Sequence, residues 1–348
     1  MRFSSTLINW YSIYKRDLPW RHTKSAYNIW LSEIILQQTQ IKQGLPYYEA
    51  FVEHYPTIFD LAKADESEIL KLWQGLGYYS RARNLHYTAK TIVETFNGEF
   101  PKTYQKLLEL KGIGDYTASA IASICYNEAT AVVDGNVYRV LARHFGVKTP
   151  INSTIGKKEF KALASQLIDK KNPAEYNQAI MEFGARQCKP KNPDCSSCPF
   201  NISCVALQNN WVDTLPIKLK KGTVATKYFN FLVFISQDKK TIFKKRTEKG
   251  IWKNLYQFPL VETEAPLKND HFKKHPEIKS VLNGTSFEYS LYNQADIIHK
   301  LSHQHLYTKF WIIEAKSLPE KGILISEIHK FPTPVLISNF INEFNFPI

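Results

Sequence analysis

No run of the 348-residue chain stays apolar for the ~18 residues that a membrane-spanning helix needs. The opening residues MRFSSTLINWYSIYKRD also lack the basic start, apolar stretch and small-residue cleavage site of a secretory signal. Both absences point to an intracellular protein. Internal repeats and low-complexity tracts are missing, and strand-like alternation is scarce before residue 210. Cysteine is sparse at five residues, yet four of them crowd into 188–204. In an intracellular chain that crowding argues for metal or cluster ligation rather than a disulfide framework. Acidic residues are outnumbered, 32 Asp and Glu against 45 Lys and Arg, a formal excess of +13. Such a balance suits a polyanionic partner, because cations facing phosphates release condensed counterions; a basic protein with no nucleic-acid role is the competing reading.

What is present divides the chain. Residues 1–210 read as helical: Tyr27, Trp30, Leu31, Ile34 and Ile35 recur at helical spacing, and Leu70, Leu72 and Trp73 suggest another helix. Pro101, Pro150 and Pro173 fall between the periodic segments. Residues 211–227, with Pro216, Lys218, Lys220, Lys221 and Gly222, read as an exposed basic connector. Beyond it, 228–236 and 309–316 are rich in β-branched and aromatic residues, and 335–344 reads as a closing helix. Residues 228–348 are therefore expected to form a separate α+β domain.

Cys188, Cys195, Cys198 and Cys204 follow the spacing C-x6-C-x2-C-x5-C. Four thiolates suit either zinc or a [4Fe–4S] cluster. One C-x2-C pair with outliers on both sides fits a loop wrapped round a larger cluster, but residue type alone leaves the metal open. Arg186, Lys189 and Lys191 flank the first cysteine and could face phosphates or simply solvent. Cys125 stands apart in an apolar helical segment and reads as core.

Gly112 and Gly114, in LLELKGIGDYTASAIA, lie between two helical patterns. Two glycines let the backbone approach a partner, and the next helix aims its first N–H groups at an anion. This is a helix-hairpin-helix signature; a plain helix–helix turn is the alternative. Asp134 follows an apolar run and precedes Gly135 and Asn136, where a helix cap is the ordinary role. A catalytic role needs a second acid. Glu33 is the candidate, because it sits among Trp30, Ile34 and Leu36, and apolar surroundings raise a carboxyl pKa. An exposed helical glutamate is the alternative.

These segments together resemble the MutY-type adenine DNA glycosylases of the endonuclease III superfamily. The matching runs are RDLPWR (16–21), WLSEIILQQTQ (30–40), WQGLGYYSRARNLH (73–86), LKGIGDYTA (110–118), VVDGNVYRVLAR (132–143), NQAIMEFGARQC (177–188) and the cysteine spacing. They extend over nearly the whole chain.

The resemblance implies a mainly α catalytic region (a helix-hairpin-helix glycosylase with an iron–sulfur loop) followed by an α+β Nudix-like domain. It favours a [4Fe–4S] cluster over zinc. It implies that Glu33 protonates a flipped adenine, that Asp134 stabilises the sugar cation, and that Tyr116 and Asn136 assist. Arg21 and Glu182 would line the adenine pocket, and Gln38 and Tyr78 would insert into the duplex. IWKNLYQFPL (251–260) and HKLSHQHLYTKFW (299–311) resemble an 8-oxoguanine-reading domain, with Ser302 and His303 touching the oxidised base. Leu301 stands where the family usually has Phe, and Lys111 where Pro is common. The implied partner is double-stranded DNA carrying A:8-oxoguanine or A:G mispairs, bound by a monomer in the cytoplasm at the nucleoid.

Bifunctional relatives carry a nucleophilic Lys two residues after the second glycine of the hairpin. Tyr116 occupies that place, so a monofunctional, retaining-type glycosylase is expected. Nudix hydrolysis needs a Glu-rich helix to hold Mg²⁺, and no Arg-Glu-x-x-Glu-Glu cluster occurs in 228–348. A non-catalytic redox protein using only cluster and hairpin would have no need of Glu33 and Asp134 together.

Overall fold

The computed structural model describes residues 3–220, 222–282 and 286–347. The chain divides into two compact units: residues 1–63 with 83–221, and residues 64–82 with 222–348.

The first unit is helical. In chain order its elements are α1 (Phe3–Tyr14), α2 (Ala26–Leu36), α3 (Ile41–His54) and α4 (Ile58–Lys63). The segment α5 (Glu66–Leu72) belongs to the second unit, and α6 (Ser80–Phe96) passes from the second unit back to the first. There follow α7 (Tyr104–Leu108), α8 (Asp115–Tyr126), α9 (Gly135–Phe145), α10 (Thr154–Leu167), α11 (Pro173–Arg186) and α12 (Val205–Gln208). Pro173 opens α11 at its first turn, where a missing N–H costs nothing. Helix α2 is buried on every side from Ile29 to Ile35. A helix apolar all round belongs in the core, so any polar side chain on it is carried out of water. α11 packs against α1, α8 and α9, and α2 packs against α8. The helices bearing Glu33, Tyr116, Asn136 and Glu182 thus converge on one helical core.

The second unit is built on a sheet. Its strands are β1 (Ala225–Ser236), β2 (Lys240–Thr241), β3 (Lys244–Lys245), β4 (Tyr256–Gln257), β5 (Leu260–Thr263), β6 (Phe287–Leu291), β7 (Ile297–Lys300), β8 (Gln304–Ala315) and β9 (Ile323–Leu324). The main sheet runs β5-β1-β8-β6, with β7 also pairing to β8. β1 and β8 are parallel, in register from Ala225↔Gln304 to Ser236↔Ala315. Both faces of this pair are covered, which explains why their sequences are near-continuous apolar runs. On one face Leu232, Phe234, Trp311 and Ile313 pack with Phe272 of α13 (Asn269–Phe272) and Ile278 of α14 (Pro276–Leu282). On the other, Phe310 stacks on Phe340 of α15 (Val335–Glu343), with centroids 4.0 Å apart. Buried Asn230 accepts a hydrogen bond from Trp311 Nε1 at 3.1 Å, so its amide is satisfied inside the core.

Residues 64–82 lie within the span whose sequence reads as part of the helical region, yet they pack with the C-terminal residues. Among the described residues, no helix is long and apolar enough to cross a membrane.

Candidate active site

Glu33 lies mid-way along α2, on the helix that is buried all round. Burial pushes its carboxyl up to about 7; the Asp134 charge adds to the rise, and a hydrogen bond with Tyr116 opposes it. Tyr116, in the first turn of α8, also brings its hydroxyl oxygen to 3.2 Å from Met181 Sδ. Burial and the two neighbouring carboxyls hold the tyrosine well above its ordinary value. It stays a neutral phenol.

Asp134 is the N-cap of α9. Its Oδ1 accepts from the backbone N–H of Asn136 at 2.9 Å and of Val137 at 2.8 Å, and its Oδ2 accepts from Asn136 Nδ2 at 2.8 Å. Helix cap and second acid are therefore the same residue. Burial raises this carboxyl above its ordinary value, and those amides and the Arg139 charge offset the rise only in part. The two acids are unequal: Asp134 collects three N–H donors suited to an anion, whereas Glu33 meets chiefly apolar helix and one hydroxyl.

The loop before Asp134 is pinned from two sides. Fully buried Asn177 accepts from Val132 N–H at 3.2 Å and donates to Thr130 O at 2.8 Å. Lys161 of α10 donates to Ala131 O at 2.7 Å and pairs with Asp115 at 2.7 Å. After the loop, buried Arg139 spreads its guanidinium over Asn136 Oδ1 (2.9 Å), Gly184 O (2.6 Å) and Cys188 O (2.7 Å). One side chain thus joins the Asp134 cap, α11 and the first cysteine.

Arg21 and Glu182 form a second cluster. Glu182 is 1% exposed and receives Arg21 Nη2 at 2.8 Å. It also receives Arg16 through Nε (2.7 Å), Nη2 (2.6 Å) and its backbone N–H (3.0 Å). Burial would raise the carboxyl, but the two guanidiniums outweigh that and hold it down to about 2. The sequence points to Arg21 but not to Arg16, the bidentate partner. Met181, next to Glu182 on α11, is the residue Tyr116 touches, so the two clusters share one helix.

Gln38, Tyr78 and Gly112 are exposed on left-handed backbone, and Gly114 is exposed on ordinary extended backbone. Gln38, just past the end of α2, is exposed at φ 57°. Tyr78, in the second unit, is 51% exposed at φ 48° beside Gly75 and Gly77, both also at positive φ. Left-handed backbone is uncommon for non-glycine residues and concentrates at functional sites. Gly112 has φ +81°, and a Cβ there would lie 2.9 Å from Asn84 Cβ. Gly114 caps α8 without a side-chain hydrogen bond, and a Cβ there would meet nothing within 4 Å. Beside them Lys111 Nζ sits 4.3 Å from the Tyr87 ring centre. In the second unit Ser302 and His303 are exposed in the short β7–β8 hairpin loop, where Leu301 N–H bonds Gln304 O at 2.9 Å.

The cysteine loop follows α11. Cys188, Cys195, Cys198 and Cys204 are free thiols, and all four line one small cavity of about 30 Å³ together with Arg143, Gln187 and Asn201. Buried Arg143 organises it: Nη1 donates to Cys188 Sγ at 3.5 Å and Lys189 O at 2.7 Å, Nη2 to Pro190 O at 3.2 Å, and Nε to Leu215 O at 3.1 Å. Among the described residues no group of three or more His, Cys, Asp or Glu is arranged to hold a single metal ion. Four convergent thiols with a guanidinium against one sulfur do fit a thiolate-ligated cluster. Arg186, Lys189 and Lys191 around the loop are exposed. Cys125 ends α8 half-buried, its thiol pushed up to about 12 by burial and then by the Glu33 charge.

Residues 31–169 match the model of the HhH-GPD superfamily of base excision DNA repair proteins, and residues 230–343 match a NUDIX domain. An adenine DNA glycosylase of Buchnera aphidicola subsp. Schizaphis graminum is 38% identical over 80% of this chain and 82% of its own. The chain belongs to the adenine DNA glycosylase family. The human adenine DNA glycosylase is 45% identical over 59% of this chain and 39% of its own. A solved thermostable thymine-DNA glycosylase superposes with TM-score 0.56 at 30% identity, covering 60% of this chain and 95% of that one. An endonuclease III–DNA complex, at 20% identity and TM-score 0.52, shares the fold over 60% of this chain and 94% of its own. As a family member the chain is a DNA glycosylase of base excision repair. Its NUDIX-type unit carries only one acid on α14, Glu277, so the Glu-rich magnesium helix is not built there.

Proposed function

We propose that the chain hydrolyses the N-glycosidic bond of adenine mispaired with 8-oxoguanine or guanine in duplex DNA. The observation that carries the reading is the buried Glu33, lifted to about 7 beside Tyr116 and the Asp134 charge. Cleavage of this bond builds oxocarbenium character on the sugar and requires an acid for the base and an anion for the cation.

Glu33 donates its proton to a ring nitrogen of the extruded adenine as the glycosidic bond breaks and the electron pair leaves with the base. Asp134 faces the sugar cation and, in a retaining course, collapses onto it as a covalent adduct. Water then attacks the sugar carbon, Glu33 accepts the proton, and Asp134 is released. Tyr116 and Asn136 hold the two carboxyls in place, and Arg21 with Glu182 lines the adenine pocket. Extrusion of the base costs roughly a few kcal/mol, which insertion of Gln38 and Tyr78 offsets in part. The Gly112–Gly114 hairpin, with Lys111, takes a phosphate. Ser302 and His303 hydrogen-bond the base opposite adenine. Every proposed catalytic group comes from one chain, so no second copy is needed to complete the site.

Cys188, Cys195, Cys198 and Cys204 would hold a [4Fe–4S] cluster. When bound, it fixes the 188–204 loop by metal–thiolate bonds and keeps Arg186, Lys189 and Lys191 presented to the DNA. Absorption in the iron–sulfur band of the purified protein tests this.

The deciding assay is base release from duplexes carrying adenine opposite 8-oxoguanine, G, C and T. Release is expected with the first two, falling about 10²–10⁴-fold in Glu33→Gln and in Asp134→Asn. Unchanged activity in either variant would eliminate the mechanism. With Tyr116 where a Schiff-base lysine would stand, borohydride should trap little protein on its substrate.

A further inference from the structure

Tyr78 sits on a loop whose stem is fixed by the far end of the chain. Thr333 lies between Pro332 and Pro334 and is 2% exposed. Both of its backbone groups are taken by residues flanking Tyr78. Its N–H donates to Gln74 Oε1 at 3.2 Å, and its carbonyl accepts from the Tyr79 hydroxyl at 3.1 Å. Gln74 uses the other end of its amide too, donating to Ser338 Oγ at 3.0 Å. Lys71 Nζ adds bonds to His329 O at 2.7 Å and Phe331 O at 3.3 Å. The anchor is itself tied to the sheet region, since Tyr256 N–H of β4 donates to Pro332 O at 2.8 Å.

Above this stem the loop closes on itself. Trp73 Nε1 donates to Gly77 O at 3.0 Å, and the Arg81 guanidinium lies 5.1 Å from the Trp73 ring and 5.6 Å from the Tyr78 ring. Proline at 332 and 334 fixes one torsion each, and Pro334 disfavours helical backbone at Thr333. A rigid two-point grip therefore holds a positive-φ tip that projects an aromatic ring into solvent.

We propose that the Pro332-Thr333-Pro334 segment is an anchor that sets the pose of Tyr78, with Gln74 and Tyr79 as positioning residues for base extrusion. The C-terminal residues then act on the reaction through the wedge as well as through contact with the opposing base. This rests on the reading of Tyr78 as a residue that inserts into the duplex.

The test uses the full chain in a Glu33→Gln background, so that no base is released. A mispaired duplex carries 2-aminopurine next to the adenine, and its fluorescence at saturating protein reports unstacking. Gln74→Ala and Tyr79→Phe, the latter keeping the buried ring, should each lower the ratio of extruded to stacked duplex read from that fluorescence about fivefold, the weight of one net hydrogen bond. Melting temperatures of the same samples separate this from unfolding, which the hydroxyl deletion should not cause. Added to Tyr78→Ala, Gln74→Ala should do nothing further, because its effect passes through the missing ring. If Tyr78→Ala abolishes the gain while Gln74→Ala and Tyr79→Phe keep it, or if Gln74→Ala acts equally without Tyr78, the anchor is overturned. If Tyr78→Ala itself leaves the gain intact, the wedge reading fails first and takes the anchor with it.

Discussion

Gly184 and Asn136 approach so closely that a Cβ on the glycine would lie 2.6 Å from Asn136 Cβ and 2.9 Å from its carbonyl oxygen. Helix α11 therefore presses on the first turn of α9, the turn that Asp134 caps. The Asp134 carboxyl is set by the packing of two helices as much as by its own hydrogen bonds.

Gly184→Ala should push Asn136 away from α11 and turn the Asp134 carboxylate with it. A displacement near 1 Å is expected to cost about 10²-fold in the chemical step. Single-turnover base release at saturating enzyme measures it, and helical circular dichroism should stay close to native.

Arg139→Gln keeps much of the side chain's bulk but leaves Gly184 O or Cys188 O without its donor. Each buried carbonyl left unpaired costs about 1–3 kcal/mol. Both the chemical step and retention of iron–sulfur absorbance should drop, because one guanidinium holds both ends. A loss confined to one of the two readouts would show that the ends are independent.

Glu33 ties activity and stability to pH. Base release needs the protonated acid, so its rate should fall about tenfold per pH unit above about 7. For stability, the folded carboxyl is raised from 4.5 to about 7. Below 4.5 the acid is protonated in both states and the full stability is present. From there to about 7 only the unfolded chain ionises, and stability is lost as pH rises. Glu33→Gln should therefore melt higher than the native protein by a margin larger at pH 8 than at pH 5, which differential scanning fluorimetry can follow.

Arg21→Ala removes one of the two guanidiniums on buried Glu182. The cost should be about 1.5–3 kcal/mol, the weight of a hydrogen bond to a charged group. Because Glu182 is held down to about 2, its contribution is present above its ordinary value of 4.5 and disappears as pH falls through 2. Urea denaturation at pH 7 should show the loss, and Glu182→Gln in the same background should recover part of it.

Much of this architecture is legible in the amino-acid order itself. The apolar run of α2 points to a buried Glu33, the cysteine spacing to a shared cavity, and the apolar runs of β1 and β8 to covered strands. Other features are not legible there. RDLPWR offers two arginines, and nothing in its spacing says that Arg16 makes the bidentate pair with a glutamate 166 residues away. Arg139 reads as an ordinary helical cation, because its carbonyl and amide partners come from turns far apart in sequence. The assignment of residues 64–82 to the second unit rests on Gln74, Tyr79 and Lys71 meeting backbone groups more than 250 positions later. Periodicity carries no information about such partners. β6 and β7 escape a pattern reading because half-buried strands of four or five residues lack the apolar density of β1.

Asp134 caps α9, and on the proposed mechanism it is also the catalyst, which separates the ways this enzyme can be lost. A change at Asp134 loosens the start of α9 and exposes the protein to degradation, so little of it would persist in a cell. A change of Glu33 to its amide removes a buried acid and, on the same mechanism, should leave a sturdier molecule that still binds DNA. Such a molecule would sit on damaged sites without mending them and deny them to working copies, making the better-folded allele the more harmful one.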